Sequence, residues 1–538
     1  FHKMKGVKTP IFARTIIIEN NDKKIAFVNL EIGFCTIYLK NGIIRELIRK
    51  YPELNLKDEN IMITAQHTHS AGGGITQHFF YNIPTPGFQE DVYNFYRDKV
   101  VECIAEAAQE MKEVSLEYGT GEFHSDKEVA FNRSLESYNA NSDVSEKLKK
   151  EDWHLAADRI MKLMQFKDAE GNILASLNWF GTHGTSISND LYYICSDNKG
   201  YAATNHEKAL KNKKGQENSI SIFAQEACGD ISPNFIYDRK KGWTRGKYKD
   251  DYESAEYTGN LQKDKAEEIS KQELNTINGG IKFAQSYVEF SNIDCLPEFT
   301  GGQENRTTTS PCWGMSFFEG TVEGPGMPKF IGNIVRFLMK REIRQDEKKA
   351  EKGTPEFRAY LEHLNEMQAP KLISVDGGRG KFFMDEDVTK MLPLGFIDAS
   401  VTYIKNAGKN GFTEHKPWVG TRLPVQLFTI GEIAIAGFST EITTVAGRRL
   451  RASILADLKP LGIKSVILSP YANGYAGYVT TPEEYEIQAY EAGHTLFGKW
   501  TLPALQTAFR KVADQLINDE SDNSTPLIFE KEMIWKYK

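Results

Sequence analysis

Ile61-Met62-Ile63-Thr64-Ala65-Gln66-His67-Thr68-His69-Ser70-Ala71-Gly72-Gly73-Gly74 is the stretch on which the fold turns. Its first five residues are β-branched or apolar, which predicts a strand. Two imidazoles follow, and the run of small residues after them predicts a loop that backbone or substrate can approach closely. Imidazoles at a strand end are suited to hold a metal or to move protons. Positions i and i+2 of a strand face one side, so His67 and His69 start as equivalent candidates.

The same layout recurs along the chain with other ligand-type residues. Ile173 to Trp179 reads as a strand that ends at Gly181-Thr182-His183-Gly184. Ser219 to Ala224 leads to Gly229-Asp230-Ile231-Ser232-Pro233-Asn234. Ile433 to Ala436 leads to Ser439-Thr440-Glu441, and Val466 to Leu468 leads to the loop Tyr471 to Tyr478. Helices are predicted from Asp91 to Met111, after Glu441 through Ala446, Leu450, Ile454 and Leu458, and from Pro482. Near the start, Ile11 to Glu19 and Ile25 to Leu30 flank the turn Asn20-Asn21-Asp22 and read as a hairpin. Alternating strands and helices predict an α/β fold, a large catalytic domain of mixed β-sheets flanked by helices. In such folds function collects in the loops beyond strand carboxyl ends.

The composition sets bounds. The chain has 538 residues, 40% hydrophobic and 26% charged, with a formal net charge of -7, which is globular and excludes a nucleic-acid binder of the usual basic kind. No apolar run approaches the ~20 residues of a membrane span. The six cysteines contain no CxxC pair, which excludes a four-cysteine zinc module and leaves one or two disulfides open. Glu146 to Asp152 and Arg341 to Lys352 read as solvated helix faces, and Gly242 to Leu274 reads as an exposed polar insertion.

Singly, each site residue has a plain structural reading. A lone loop histidine is usually structural, and Glu441 sits where a carboxylate would cap a helix. Gly229 to Asn234 is made of turn formers. Ser232 as a nucleophile lacks the G-x-S-x-G elbow. Tyrosine is an uncommon metal ligand. Together, histidines and a carboxylate gathered from several strand ends are what a catalytic zinc site requires.

Taken in order, the segments resemble the neutral (non-lysosomal) ceramidase family. The resemblance rests on Gln66-His67-Thr68-His69-Ser70, Asn132-Arg133-Ser134, Asn178 to His183, Ser196 to Tyr201, the hexapeptide Gly229 to Asn234, Gly314 to Gly326, Glu441 to Leu450 and Tyr478 to Tyr485. It implies a zinc-dependent amidase that cleaves ceramide to a sphingoid base and a fatty acid. It also implies one catalytic Zn2+ held by His67, His183, Glu441 and Tyr478. His69, Arg133 and Tyr490 would line the reaction centre, and Asp230 and Ser232 would lie close to it. Read mechanistically, His69 or Asp230 would be the general base, Tyr490 would steady the oxyanion, and Arg133 and Ser232 would hold the polar head of the substrate. The implied partner is a lipid, reached through peripheral contact with a membrane surface, in a secreted, periplasmic or cell-surface setting.

The chain departs from the family at Ala71-Gly72-Gly73, where Gly-Pro is usual, and at Ser439-Thr440, where Pro-Gly is usual. These changes touch the pocket rim and keep open the same chemistry on another N-acylated lipid, amine or amino acid. A lipid-binding relative without catalysis, and a serine hydrolase built on Ser232, are the remaining alternatives. After Leu516 only 22 residues remain, against the about 100 of a β-sandwich. The expected organisation is therefore an amidase domain over residues 1–517 and a short tail over 518–538 whose apolar end packs back. The C-terminal sandwich of many family members is expected to be absent.

Overall fold

The predicted hairpin forms as β1 (Ala13–Asn20) and β2 (Lys23–Leu30), antiparallel, with Asn20 opposite Lys23. Helix Ile37–Lys50 then returns the chain to β3 (Ile61–Ala65), which pairs parallel to β2 and is buried throughout. A strand buried on both faces needs an apolar run, which Ile61 to Ile63 supplies. The computed structural model describes residues 3–21, 23–324, 326–391, 395 and 399–536; Asp22 of the turn and Pro325 of the glycine-rich motif lie outside the described residues.

The second sheet contains β4 (Ser115–Glu122), β5 (Ile160–Lys167), β6 (Ile173–Trp179) and β7 (Ile220–Ala224) in the order β7-β6-β5-β4, with Asn275–Thr276 added at the β4 edge. The third contains β8 (Ile281–Glu289), β9 (Arg422–Ile430), β10 (Ile433–Phe438) and β11 (Ser465–Ser469), in chain order. β6 and β7 are parallel, joined through helix Asp197–Lys211, and β10 and β11 are parallel, joined through helix Thr444–Asp457. Each parallel pair presents its two carboxyl ends on one side, and those ends lead into the loops that carry the ligand-type residues.

One buried cluster takes Phe27 and Met62 from the first sheet, Trp179 and Ile222 from the second, and Phe428, Ile435 and Ile467 from the third. The rings of Phe27 and Trp179 meet edge to face with centroids 5.6 Å apart. Helices cover the remaining faces: Val100 and Ile104 join the cluster of β2 and β3, and Leu450, Ile454 and Phe509 join that of β9 and β10. The fold is mixed α/β with open mixed sheets and flanking helices, as the sequence predicts, and no sheet closes into a barrel among the described residues.

Several expectations fail for physical reasons. Residues 242–274 are not an exposed insertion. Helix Asp251–Ser270 buries Ser254, Ala255, Thr258, Gly259 and Gln262. Most of those side chains are small or polar, and the apolar packing is confined to Ala255 and, further along, Ala266 and Ile269. The charged run Arg341 to Lys352 lies on helix Lys329–Lys352 but is not wholly solvated, because Asp346 is buried against Lys381 (2.7 Å) and Arg379 (3.0 Å). All six cysteines are free thiols. The tail runs back along the molecule: Gln77 exchanges hydrogen bonds with Leu527 and Phe529, and Ile534 and Trp535 are buried. Among the described residues no helix is long and apolar enough to cross a membrane.

Candidate active site

Three short backbone pairings bring distant segments to one point. Thr68 bridges Gly184 in parallel, which sets His67 and His69 beside His183. Glu441–Ile442 pairs in parallel with Tyr478–Val479 so that Glu441 lies opposite Tyr478. Phe131–Asn132 pairs antiparallel with Ile231–Ser232, and the Arg133 N–H donates to the Asp230 carbonyl at 2.9 Å. The turn out of β3 is tight. His67 has a φ of +71°, a conformation that costs a non-glycine residue about 1 kcal/mol or more. Its N–H is tied to Ile32 O at 3.1 Å. Gly184 leaves space for this turn: a Cβ there would stand 2.2 Å from the His67 carbonyl oxygen.

The side chains converge. The ring Nε2 atoms of His67 and His69 are 3.0 Å apart. His67 Nε2 is 3.5 Å from Glu441 Oε1, and His183 Nε2 is 3.1 Å from Glu441 Oε2 and 3.2 Å from the Tyr478 hydroxyl. One ligand-capable atom from each of His67, His69 and His183 falls within 4.8 Å of the others. His67 and His183 are buried, whereas His69 is exposed to the adjoining cavity.

The next layer of contacts fixes how these groups point. His67 Nδ1 faces Gly33 O at 2.5 Å, and His183 Nδ1 faces Cys228 O at 2.7 Å. A carbonyl accepts only from N–H, so both Nδ1 atoms carry hydrogen and both Nε2 atoms turn to the centre. Glu441 accepts from the hydroxyls of Tyr475 (2.5 Å) and Tyr471 (3.1 Å). Burial pushes His67 down; at His69, open to the cavity on one side, desolvation by the protein packed around the rest of the ring pushes it down to about 4, with help from neighbouring His183. At His183, burial and Arg133 also work downward, but the hydrogen bonds to Cys228 and Glu441 outweigh them and raise it to about 10. Burial alone would raise the Glu441 carboxyl; the His67 and His183 charges hold it well below the usual range. A divalent ion bound among these groups would displace the protons they carry. Two Nε2 atoms, a carboxylate and a phenol, each oriented by further hydrogen bonds, are a donor set that suits zinc.

A cavity of about 610 Å³ opens onto this point, lined among others by His69, Ser70, Arg133, His183, Glu323, Tyr478 and Tyr490. Arg133 is heavily engaged. Its Nε donates to Glu491 (2.9 Å), its Nη1 to Glu323 (2.7 Å), and its Nη2 to Gly229 O (2.8 Å) and the Tyr478 hydroxyl (3.0 Å). Those bonds position Tyr478 and the two carboxylates. Burial pushes the Tyr490 phenol up, so it stays an O–H donor.

Two sequence candidates sit elsewhere than expected. The Asp230 carboxylate accepts from Asn132 Nδ2 (2.7 Å) and from the N–H (2.8 Å) and hydroxyl (2.9 Å) of Thr444, and does not line the cavity. It anchors the start of helix Thr444–Asp457, just beyond Glu441. Ser232 is buried and donates to Glu323 behind the cavity wall. Glu323, Glu491, Tyr471 and Tyr475 are site residues that sequence reasoning missed. Glu323 is a lone carboxylate between Gly320 and Gly324, Glu491 adjoins Tyr490, and the tyrosines stand in the aromatic loop before Tyr478. Those placements were the available signal.

A sequence profile described as "Neutral/alkaline non-lysosomal ceramidase, N-terminal" matches residues 2–390 and 404–507. The chain belongs to that family. It is 31% identical over 525 residues to the neutral ceramidase of Pseudomonas aeruginosa, covering 95% of this chain and 68% of that protein. It is 26% identical to neutral ceramidase B of Dictyostelium discoideum, with 94% and 67% covered, and 26% identical to the Drosophila melanogaster neutral ceramidase, with 97% and 72% covered. The crystal structure of the Pseudomonas neutral ceramidase aligns with a TM-score of 0.75 at 28% identity over 98% of this chain and 72% of that one. A ceramidase complexed with C2 aligns with a TM-score of 0.78 at 29% identity over 98% and 73%.

Proposed function

We propose that this member of the neutral ceramidase family is a zinc-dependent amidohydrolase that cleaves the N-acyl amide bond of ceramide, with one ion held by His67, His183, Glu441 and Tyr478. The observation that carries the reading is the convergence of those four side chains, each oriented by its own hydrogen bonds, at the floor of a cavity. Zinc bound there supplies Lewis-acid polarisation of the amide carbonyl and a lowered pKa for bound water.

The chain's own residues do the rest. His69 is neutral at physiological pH and opens to the cavity, so its free ring nitrogen takes the proton of the attacking water as a C–O bond forms at the carbonyl carbon. Tyr490 keeps its O–H and donates to the developing oxyanion. The C–N bond then breaks with its electron pair on nitrogen, and His69 returns the proton to the leaving amine. Arg133 holds the Tyr478 oxygen in place and balances Glu323 and Glu491. Asp230 and Ser232 act through the segments they hold.

An acyl-release assay on the metal-loaded protein tests the substrate, with ceramide, N-acyl amino acids and other N-acylated lipids side by side. Fatty acid and sphingoid base released from ceramide in equal amounts is the expected result. No ceramide turnover beside clear turnover of another N-acyl lipid would move the assignment to that lipid.

A further inference from the structure

Helix Lys329–Lys352 carries a face that nothing in the described protein covers. Phe330, Ile334 and Phe337 are 69%, 57% and 70% exposed. Their spacing of four and three residues sets them on one side of the helix. The same stripe continues through Arg341, Arg344 and Lys348, all exposed, with no ion pair recorded for any of them among the described residues. The opposite side holds the helix down: Arg336 Nε donates to Glu319 at 2.7 Å, Gly332 lies against Glu319, and Met339 is buried. An apolar half and a cationic half along one solvent-facing stripe is how an interfacial helix meets an anionic lipid surface.

The stripe is joined to the cavity. Glu319 immediately precedes Gly320, which lines the cavity together with Thr321, Glu323 and Gly324. Between them Val322 is 41% exposed, and its carbonyl accepts from Thr244, a neighbour of the cavity-lining Trp243, at 2.8 Å. A surface that receives Phe330, Ile334 and Phe337 would therefore stand next to the loop that forms one wall of the cavity.

We infer that this helix is the membrane-docking element of the protein: its apolar residues enter the head-group layer of an anionic bilayer, its cations hold the surface, and the Gly320 loop brings the cavity mouth to the lipid. The inference rests on the reading of the protein as a hydrolase of an N-acyl lipid and names the surface from which that lipid is taken. The occupant is a bilayer because a single stripe combines apolar insertion with unpaired positive charge and runs into a cavity proposed to hold a lipid.

Flotation of the full-length, metal-loaded protein with phosphatidylcholine vesicles, with and without about one third phosphatidylglycerol, tests it without requiring turnover. The wild type should float with the anionic vesicles, and less so at high salt. The combined variant F330S/I334S/F337S should lose at least about tenfold in partitioning, since each side chain forfeits an apolar burial. R341E/R344E/K348E should lose the preference for anionic vesicles, about fivefold or more per charge. Both variants should hydrolyse a short-chain, water-soluble N-acyl substrate at the wild-type rate, because neither touches the centre. Wild-type vesicle binding that is absent, or unchanged in F330S/I334S/F337S, overturns the docking role. So does a wild-type dimer that this variant converts to monomer with vesicle binding unaffected, which would assign the stripe to a second copy. Vesicle binding as expected in a protein that hydrolyses no N-acyl lipid would instead overturn the proposed function and leave the docking surface standing.

Discussion

Replacing Gly184 with alanine should disable the centre without touching any side chain in it. The added Cβ would stand 2.2 Å from the His67 carbonyl oxygen, 2.7 Å from the carbonyl carbon and 2.9 Å from the Thr68 Cα. All three are backbone atoms, and ordinary non-bonded contact needs about 3.5 Å, so the two segments must part by at least about 1 Å. Those segments carry His67 and His69 on one side and His183 on the other, linked by the Thr68–Gly184 bridge and the His69 N–H to Gly184 O bond of 3.1 Å. A metal site tolerates ligand distances within about 0.2 Å, and an ångström of misplacement can cost about a hundredfold in rate. Overpacking of this kind costs about 1–3 kcal/mol, which in a chain of this length lowers Tm by only about 1–3 °C. Purified Gly184→Ala protein should therefore melt near the wild type, bind zinc in less than the stoichiometric amount, and lose at least about a hundredfold in kcat/KM. Metal content by mass spectrometry, thermal melting and acyl release decide it together. A folded variant with one zinc and activity within about threefold of the wild type would refute the claim that this backbone contact sets the spacing of the histidines.

Removing side chains separates their roles. His67→Ala and Glu441→Ala should lose both metal and activity, whereas His69→Ala should keep its metal and lose roughly 10²–10⁴-fold in kcat; a metal-free His69→Ala protein would show that the two histidines are interchanged. Asp230→Asn keeps an acceptor oxygen for Thr444, so activity should fall less than about tenfold while the melting temperature drops; a loss of 10³-fold or more at unchanged stability would make Asp230 the base. A chelator should abolish turnover and zinc restore it, with Ser232→Ala retaining measurable activity; chelator-resistant activity that vanishes in Ser232→Ala would establish a serine hydrolase.

The strands were legible because each is a short local run of apolar or β-branched residues, and the loops after them stood out by the residue types they carry. That pattern marked His67, His69, His183, Asp230, Ser232, Glu441 and Tyr478 as loop candidates, and the family resemblance narrowed the metal set to His67, His183, Glu441 and Tyr478, whose side chains meet in the structure. Local pattern says nothing about direction, however. Asp230 shares its loop with the Cys228 carbonyl that orients His183, yet its carboxylate turns to Thr444. Helix Asp251–Ser270 was read as exposed because its buried face mixes small and polar residues (Ser254, Thr258, Gly259, Gln262, Lys265) with only Ala255, Ala266 and Ile269 as apolar members, a pattern that a search for apolar periodicity passes over. Glu323 and Glu491 were passed over for a different reason: their partner is Arg133, 190 and 358 residues away, and no spacing rule links residues so far apart.

That guanidinium also sets a timetable. Its hydrogen bonds reach Gly229, Glu323, Tyr478 and Glu491, which lie 96, 190, 345 and 358 residues further along the chain. Pairings this remote close late and slowly. During synthesis, a ribosome must therefore release the chain past Glu491 before the first complete centre can exist. An emerging chain carries both early histidines but neither the carboxylate nor the phenol that they meet in the finished protein. The centre is thus incomplete until Glu441, Tyr478 and Glu491 have all emerged and the last two have joined Arg133.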